Sequence, residues 1–342
     1  MVIAMRKGTS SAEARAFAGI LEAQGVTVHI SEGASQTVLG LIGDTSRIDE
    51  ERLRAQRLVE KVIRVQAPYK RAHRQFHPED TCIGVTGLDG ALRRIGGGWF
   101  GLIAGPCSVE TREQIIGIAS AVKQAGAGFL RGGAFKPRTS PYSFQGLGEE
   151  GLNLLLAAKK ETGLPIVSEL MDINHLAGFS EVDIIQIGAR NMQNFTLLKE
   201  LGQCGKPILL KRGLASTIKE LLMAAEYIAA GGNERIILCE RGIRTFEDFT
   251  RNTLDLSAVP ALKRESHLPV IVDPSHASGL AWMVPALAKA AAAAGADGVM
   301  IEVHNNPETA RCDGEQSLTP AEFADLAAVL RKYAEIEGRN AL

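Results

Sequence analysis

Eight short apolar runs recur through the second part of the chain and limit its fold more than any other feature. They are Phe100 to Ala104, Gly128 to Arg131, Pro165 to Glu169, Ile184 to Ile187, Pro207 to Lys211, Ile236 to Glu240, Pro269 to Asp273 and Gly298 to Glu302. Runs of this length read as buried strands. Most are separated by segments of helical period, such as Arg112 to Ala125, Leu152 to Thr162, Thr217 to Ala230, Ala281 to Ala294 and Pro320 to Ile336. A parallel strand pair needs a long crossover, which a helix supplies, so this alternation predicts a parallel sheet. Eight such units in a segment near the typical length of about 250 residues predict a (β/α)8 TIM barrel over residues 98–342. Its last helix starts on Thr319, Pro320 and Glu322, the pattern of a capping box.

The chain ahead of the barrel alternates differently. Met1 to Met5, Val26 to Ser31, Gln36 to Gly43 and Val59 to Val65 have strand character, with helices over Ser11 to Gln24 and from Asp49. This β-α-β-β-α-β order suits a small ferredoxin-like α+β domain over residues 1–70. A basic connector, Pro68 to Pro78, follows, and residues 71–97 are read as linker and β-hairpin, the hairpin joining Thr81 to Gly87 with Ala91 to Ile95. His73 and His77 are read as solvated linker residues.

Composition narrows the partners. With 342 residues, 45% of them hydrophobic, the chain can bury a large core. Lys and Arg number 38 against 39 Asp and Glu, and 5% of residues are aromatic. Neither a basic field nor a row of stacking platforms is present, so nucleic acid is not an expected partner. Arg6, Lys7 and Gly8 follow Met1 to Met5 without an apolar leader, and Ala281 to Ala294 contains Pro285 and Lys289, too little for a membrane span. The five cysteines, at 82, 107, 204, 239 and 312, fit reduced thiols in a cytoplasmic protein.

In a TIM barrel the active site lies where the strands end, so polar residues closing the apolar runs are the first candidates. In order they are Cys107, Arg131, Glu169, Arg190, Lys211, Glu240 with Arg241, Asp273 with His276, and Glu302. Arg131, Lys136, Arg138, Arg190, Lys211 and Arg241 gather six cations at one face, which points to substrates carrying several negative charges. The alternative is pairing with Glu149, Glu169, Glu240 or Asp273. Cys107, His276, Glu302 and Asp313 make a mixed sulfur, nitrogen and oxygen set suited to a divalent Mn, Fe, Co or Zn ion. Spacing alone leaves Cys107 equally readable as a small buried hydrophobe. Cys312 adjoins Asp313 and is read as facing the site without ligating.

These residues resemble a known family. Gly105-Pro106-Cys107-Ser108-Val109-Glu110, the run Arg131 to Ser140, Gln186-Ile187-Gly188-Ala189-Arg190-Asn191, Leu210-Lys211-Arg212-Gly213 and Asp273-Pro274-Ser275-His276 look like 3-deoxy-D-arabino-heptulosonate 7-phosphate (DAHP) synthase. The first unit is similar to the ferredoxin-like domain found in one branch of it. The resemblance implies a transferase that condenses phosphoenolpyruvate with erythrose 4-phosphate, the first step of the shikimate pathway. It implies that Arg131, Lys136, Arg190, Lys211 and Arg241 hold phosphoenolpyruvate, and that Arg138, Thr139, Ser140 and Asp273 face erythrose 4-phosphate. It further implies that Cys107, His276, Glu302 and Asp313 bind the metal, with Lys136, Cys107 and His276 as the catalytic residues.

The resemblance also leads us to expect a homo-oligomer, a tetramer, with tyrosine or phenylalanine acting as effector at the first unit. One rival is the octulosonate 8-phosphate synthase, which uses arabinose 5-phosphate. Its corresponding loop is one residue longer, whereas here Lys136-Pro137-Arg138-Thr139-Ser140 is short and stiffened by proline. A second rival is a non-catalytic amino-acid sensor, which would have no reason to keep both the metal set and the cations.

Overall fold

The computed structural model describes residues 1–33, 36–43, 45, 48–63, 68–137 and 140–341. The chain divides into two compact units, residues 1–80 with 264–267, and residues 81–263 with 268–342.

In the first unit, β1 (Val2–Met5), α1 (Ser11–Glu22), β2 (Thr27–Glu32), β3 (Thr37–Ile42), α2 (Glu50–Arg54) and β4 (Val59–Ile63) follow the predicted order. The strands form an antiparallel sheet, β2-β3-β1-β4. Residues 64 and 65, to which the sequence pattern carries the last strand, lie outside the described residues. Ser10 and Glu13 close a capping box on α1, and Asp49 caps α2. Alternation along β1 sends Met1, Ile3 and Met5 to the face that packs on Phe17, Leu21 and Leu53, and Val2 to the opposite face with Val38 and Phe76. Gly40 is required there, because a Cβ would lie 1.6 Å from a ring carbon of Phe76. Residues 264–267 complete this unit. The Arg74 N–H donates to the Glu265 carbonyl (2.9 Å), and His267 Nε2 donates to the Arg71 carbonyl (2.8 Å).

The second unit opens with the hairpin β5 (Cys82–Thr86) and β6 (Leu92–Gly96). Then come the eight barrel strands: β7 (Trp99–Gly105), β8 (Phe129–Arg131), β9 (Ile166–Glu169), β10 (Ile184–Ile187), β11 (Ile208–Lys211), β12 (Ile236–Glu240), β13 (Val270–Val272) and β14 (Gly298–Glu302). All eight are parallel, and β14 pairs with β7 to close the ring, giving the expected (β/α)8 barrel. The helices between and after them include α3 (Arg112–Gln124), α4 (Glu149–Thr162), α5 (Phe195–Leu201), α6 (Ile218–Ala230), α7 (Ala258–Glu265), α8 (Pro274–Ser278), α9 (Val284–Ala293) and α10 (Pro320–Ile336). A short β15 (Asn340–Ala341) adds to β7. The predicted helix from Ala281 divides into a 3-10 turn, Ala281–Met283, and α9, because Pro285 is tolerated only in a first helical turn. Among the described residues no helix is long and apolar enough to cross a membrane.

The hairpin fills the end of the barrel at which the strands begin. Ile83, Val85 and Ile95 join one cluster with residues from all eight strands. Its neighbours are loops that lead into strands: the Leu88 N–H donates to the Gly163 carbonyl, and Arg235 donates to the Gly84 carbonyl.

Candidate active site

Inward positions along a strand lie two residues apart, and a single step separates the apolar layer from the site. Ile103, Phe129, Val167, Ile184, Leu209, Ile237, Ile271 and Met300 supply one residue per strand to the apolar cluster. Two residues beyond them stand Arg131, Glu169, Gln186, Lys211, Asp273 and Glu302, every one buried. On β12 the first step reaches Cys239 and the second Arg241. On β7 the step reaches Gly105 (φ 149°), where a Cβ would lie 2.0 Å from the Arg131 carbonyl oxygen. Glycine therefore lets β7 end tight against β8. The chain beyond stays in register through Gly133 N–H to Cys107 carbonyl (3.2 Å) and Val109 N–H to Gly133 carbonyl (3.0 Å), which fixes Cys107.

One ligating atom from each of Cys107, His276, Glu302 and Asp313 falls within 4.8 Å of the others. Cys107 Sγ donates to Asp313 Oδ2 (3.0 Å), and His276 Nε2 lies 3.3 Å from Glu302 Oε1. His276 Nδ1 meets Asp273 Oδ2 at 2.7 Å, which fixes the ring and turns Nε2 toward the set. Asp273 also caps α8 by accepting the His276 N–H (3.0 Å). Among the described non-glycine residues only Asp313 has a positive φ, 53°. Such backbone strain is kept at functional sites where surrounding bonds enforce it. Here Ser317 Oγ donates to the Asp313 carbonyl (3.0 Å), and the Arg311 N–H donates to Glu110 Oε1 (2.8 Å).

The protonation states suit a cation. Burial opposes ionisation of Glu302, yet His276 and Arg131 hold its carboxyl below the usual range. Asp313 behaves likewise, with His276 and its bond from Cys107 overcoming burial. Burial keeps His276 neutral by lowering its pKa, and pushes the Cys107 thiol well above its ordinary value. Two carboxylates, a neutral imidazole and a thiol able to lose its proton fit a divalent transition ion better than Ca or Mg.

Beside this set lies a cavity of about 270 Å³ lined by Lys136, Arg190, Lys211 and Arg241, with Ser140, Glu169, His276 and Asp313. Arg241 donates through Nη2 to the His276 carbonyl (3.2 Å), and its buried Nη1 has no partner among the described residues, a place for an anion. Lys136 Nζ donates to both the carbonyl and Sγ of Cys107, each at 2.9 Å. Burial disfavours the Lys136 ammonium, but attraction to Cys107, Cys312 and Glu302 exceeds that and the repulsion by Arg131, so its pKa is raised.

The predicted residues do not all face the cavity. Arg131 is 2% exposed and pairs with Glu302 while donating to the Pro106 carbonyl (3.0 Å). Asp273 is fully buried, its carboxylate taken up by Lys211 and His276. Glu240 is held by Arg212 (2.8 Å), which also binds Asp255 (2.8 Å). Arg138 and Thr139 lie outside the described residues. The sequence reading missed Arg251, which lines the cavity and approaches Asp313 Oδ1 at 3.3 Å. It also missed Gln316, which donates to Glu302 and accepts from Arg251. Both sit in loops after strands β12 and β14, and the cation-bearing run Arg241-Gly242-Ile243-Arg244 was the signal near the first.

Comparison with known proteins identifies the family of the chain. The model of the DAHP synthetase I family matches residues 90–337, and that of the DAHP synthase ferredoxin-like domain matches residues 1–67. Phospho-2-dehydro-3-deoxyheptonate aldolase of Thermotoga maritima is 48% identical over 339 residues, covering 99% of each chain. A crystal structure of that Thermotoga protein covers 100% of this chain and 99% of its own at 47% identity, with a TM-score of 0.78. The 2-dehydro-3-deoxyphosphooctonate aldolase of Syntrophobacter fumaroxidans is 33% identical and covers 71% of this chain and 88% of its own. Matched by the family's model across the barrel and by a relative along its whole length, the chain belongs to the DAHP synthetase I family.

Proposed function

We propose that this DAHP synthase joins phosphoenolpyruvate to D-erythrose 4-phosphate, with water, giving DAHP and inorganic phosphate. The carrying observation is that the four convergent metal-ligating residues and the cations Lys136, Arg190, Lys211 and Arg241 border one cavity. Cys107, His276, Glu302 and Asp313 would hold a divalent ion, which when bound would supply Lewis acidity toward the aldehyde. The chain's own groups do the rest. Arg190, Lys211 and Arg241 neutralise the phosphate and carboxylate of phosphoenolpyruvate, and Arg131 holds Glu302 in place. Lys136, charged and buried, reaches the same space and donates the proton that the new hydroxyl needs. Water then adds at C2 of the former enol and phosphate leaves from that carbon. Fixed cations stabilise that departure without reorganising. Ser140, with Arg138 and Thr139, is assigned to the sugar phosphate.

The octulosonate reading draws on the 33% identical relative, but that match covers 71% of the chain, whereas the heptonate relative covers 99%. Phosphoenolpyruvate loss, followed with erythrose 4-phosphate or arabinose 5-phosphate, each after EDTA and after Mn²⁺ is restored, separates the two. We expect loss with erythrose 4-phosphate alone, stopped by chelation and recovered with metal. A preference for arabinose 5-phosphate would transfer the chain to the other activity, and no loss with either sugar would favour the sensor.

We also propose a cytoplasmic homotetramer inhibited by tyrosine or phenylalanine through the first unit. A truncated Thermotoga DAHP synthase that covers 80% of this chain supports testing this by deletion. Removing residues 1–70 should leave activity and abolish inhibition; inhibition that survives would put the effector elsewhere.

A further inference from the structure

Each carboxylate of the metal set turns one oxygen to its fellow donors and has the other held from outside. Asp313 Oδ2 faces Cys107 Sγ (3.0 Å), while its Oδ1 accepts from Arg251 Nη1 (3.3 Å). Glu302 Oε1 faces His276 Nε2 (3.3 Å) and pairs with Arg131, while its Oε2 accepts from Gln316 Nε2. One nitrogen ties the two holds together, because Arg251 Nη1 also donates to Gln316 Oε1 (3.0 Å). The Gln316 amide can point only this way: reversed, its oxygen would meet a carboxylate and its NH2 a guanidinium. Gln316 is 2% exposed, so losing either bond would leave a buried polar group unpaired. Its backbone is fixed as well. The Leu318 N–H donates to the Glu302 carbonyl (2.9 Å), which clips the loop after β14 to the strand that carries Glu302. Gly314 packs so closely on the Pro307 carbonyl oxygen that a Cβ would lie 2.1 Å from it.

We propose that Gln316 and Arg251 are positioning residues that hold Glu302 and Asp313 to one oxygen each, and thereby set which divalent ion the chain prefers. A carboxylate binds an ion through two oxygens only when both turn toward it. Glu302 cannot turn without breaking its bond from Gln316, nor Asp313 without leaving Arg251. The chain then offers four donor atoms, one from each residue of the set, a number that suits Zn. Carboxylates binding through both oxygens would raise that count toward the six or so favoured by Mn and Ca. The inference rests on the metal reading of the proposed function and extends it from the ligating residues to the two that orient them.

The test uses the full chain with Gln316→Leu and, separately, with Arg251→Gln, the second altering a side chain that is 38% exposed and so sparing the core. Mn²⁺ and Zn²⁺ affinities are measured by competition with a chelator, and infrared difference spectra are recorded as Mn²⁺ is added. The antisymmetric and symmetric carboxylate stretches lie far apart when one oxygen binds and close together when two do. The expected result is a wide spacing in the parent chain and a narrower one in each variant, with the ratio of Mn²⁺ to Zn²⁺ affinity shifted about tenfold toward Mn²⁺. A merely structural role would weaken both ions alike and leave the spacing unchanged, and that outcome would overturn the proposal. A narrow spacing in the parent chain would overturn it too. A parent chain that binds neither ion would sink the metal reading itself, and the inference with it.

Discussion

At the scale of residues, the four metal-ligating groups differ in the proton each must surrender. Glu302 and Asp313 are held ionised and His276 neutral, whereas the buried Cys107 thiol keeps its proton at neutral pH. Metal uptake should therefore release about one proton per chain, and affinity should rise as pH increases toward the thiol's pKa. Calorimetry in two buffers of different ionisation enthalpy measures this, and uptake without proton release would show that the thiolate already exists. Lys136→Met should abolish turnover while Mn²⁺ still binds; ordinary turnover would remove Lys136 from the chemistry. Asp273→Asn replaces the carboxylate that orients His276 and neutralises Lys211. Metal affinity should fall about 10- to 100-fold, as for other partners of metal-binding histidines, which a competition titration with a chromophoric chelator reads directly.

At the scale of elements, the hairpin β5–β6 stabilises the barrel from the end away from the chemistry. Ile95 is fully buried among inward residues of the strands. Ile95→Ala should cost about 2–5 kcal/mol of stability, seen as a lower denaturant midpoint, with the kcat of the folded enzyme unchanged. The barrel strands were readable because each is a continuous apolar run between helical segments. The site was half readable for a related reason: on β8, β11, β13 and β14 a period of two carries Phe129, Leu209, Ile271 and Met300 to Arg131, Lys211, Asp273 and Glu302. Elements without their own signal were missed. At seven residues, α5 offers too few turns for a periodic pattern, α8 begins on Pro274, and β15 has two residues. Arg251 and Gln316 were missed because loop geometry, not strand period, carries them to the site. Pairing is also invisible in sequence: Arg131 is bound by its neighbour Glu302, and Lys211 pairs with Asp273 while still lining the cavity.

At the scale of the whole molecule, the first unit carries a buried titratable group whose effect on stability has a definite sign. His267 is 4% exposed, and burial, with repulsion from His77 and Arg74 beyond what its bond to the Arg71 carbonyl restores, lowers its pKa to about 3. The folded chain keeps it neutral while an unfolded chain protonates it near pH 6.5. Its contribution is therefore present in full above that value and is lost as pH falls toward about 3. By pH 5 the loss should be about 2 kcal/mol. Urea unfolding at pH 7.5 and pH 5 should show it, and His267→Gln should reduce the difference; an equal difference in both chains would place the acid sensitivity elsewhere.

The same four residues, 264–267, belong to the first unit although they are encoded far along the second. Six of the eight barrel strands, β7 to β12, precede them in the chain. Domains commonly fold in order as they leave the ribosome. Here the leading unit emerges first but stays unfinished until most of the barrel has been translated, so its completion is timed by synthesis of the domain that follows it.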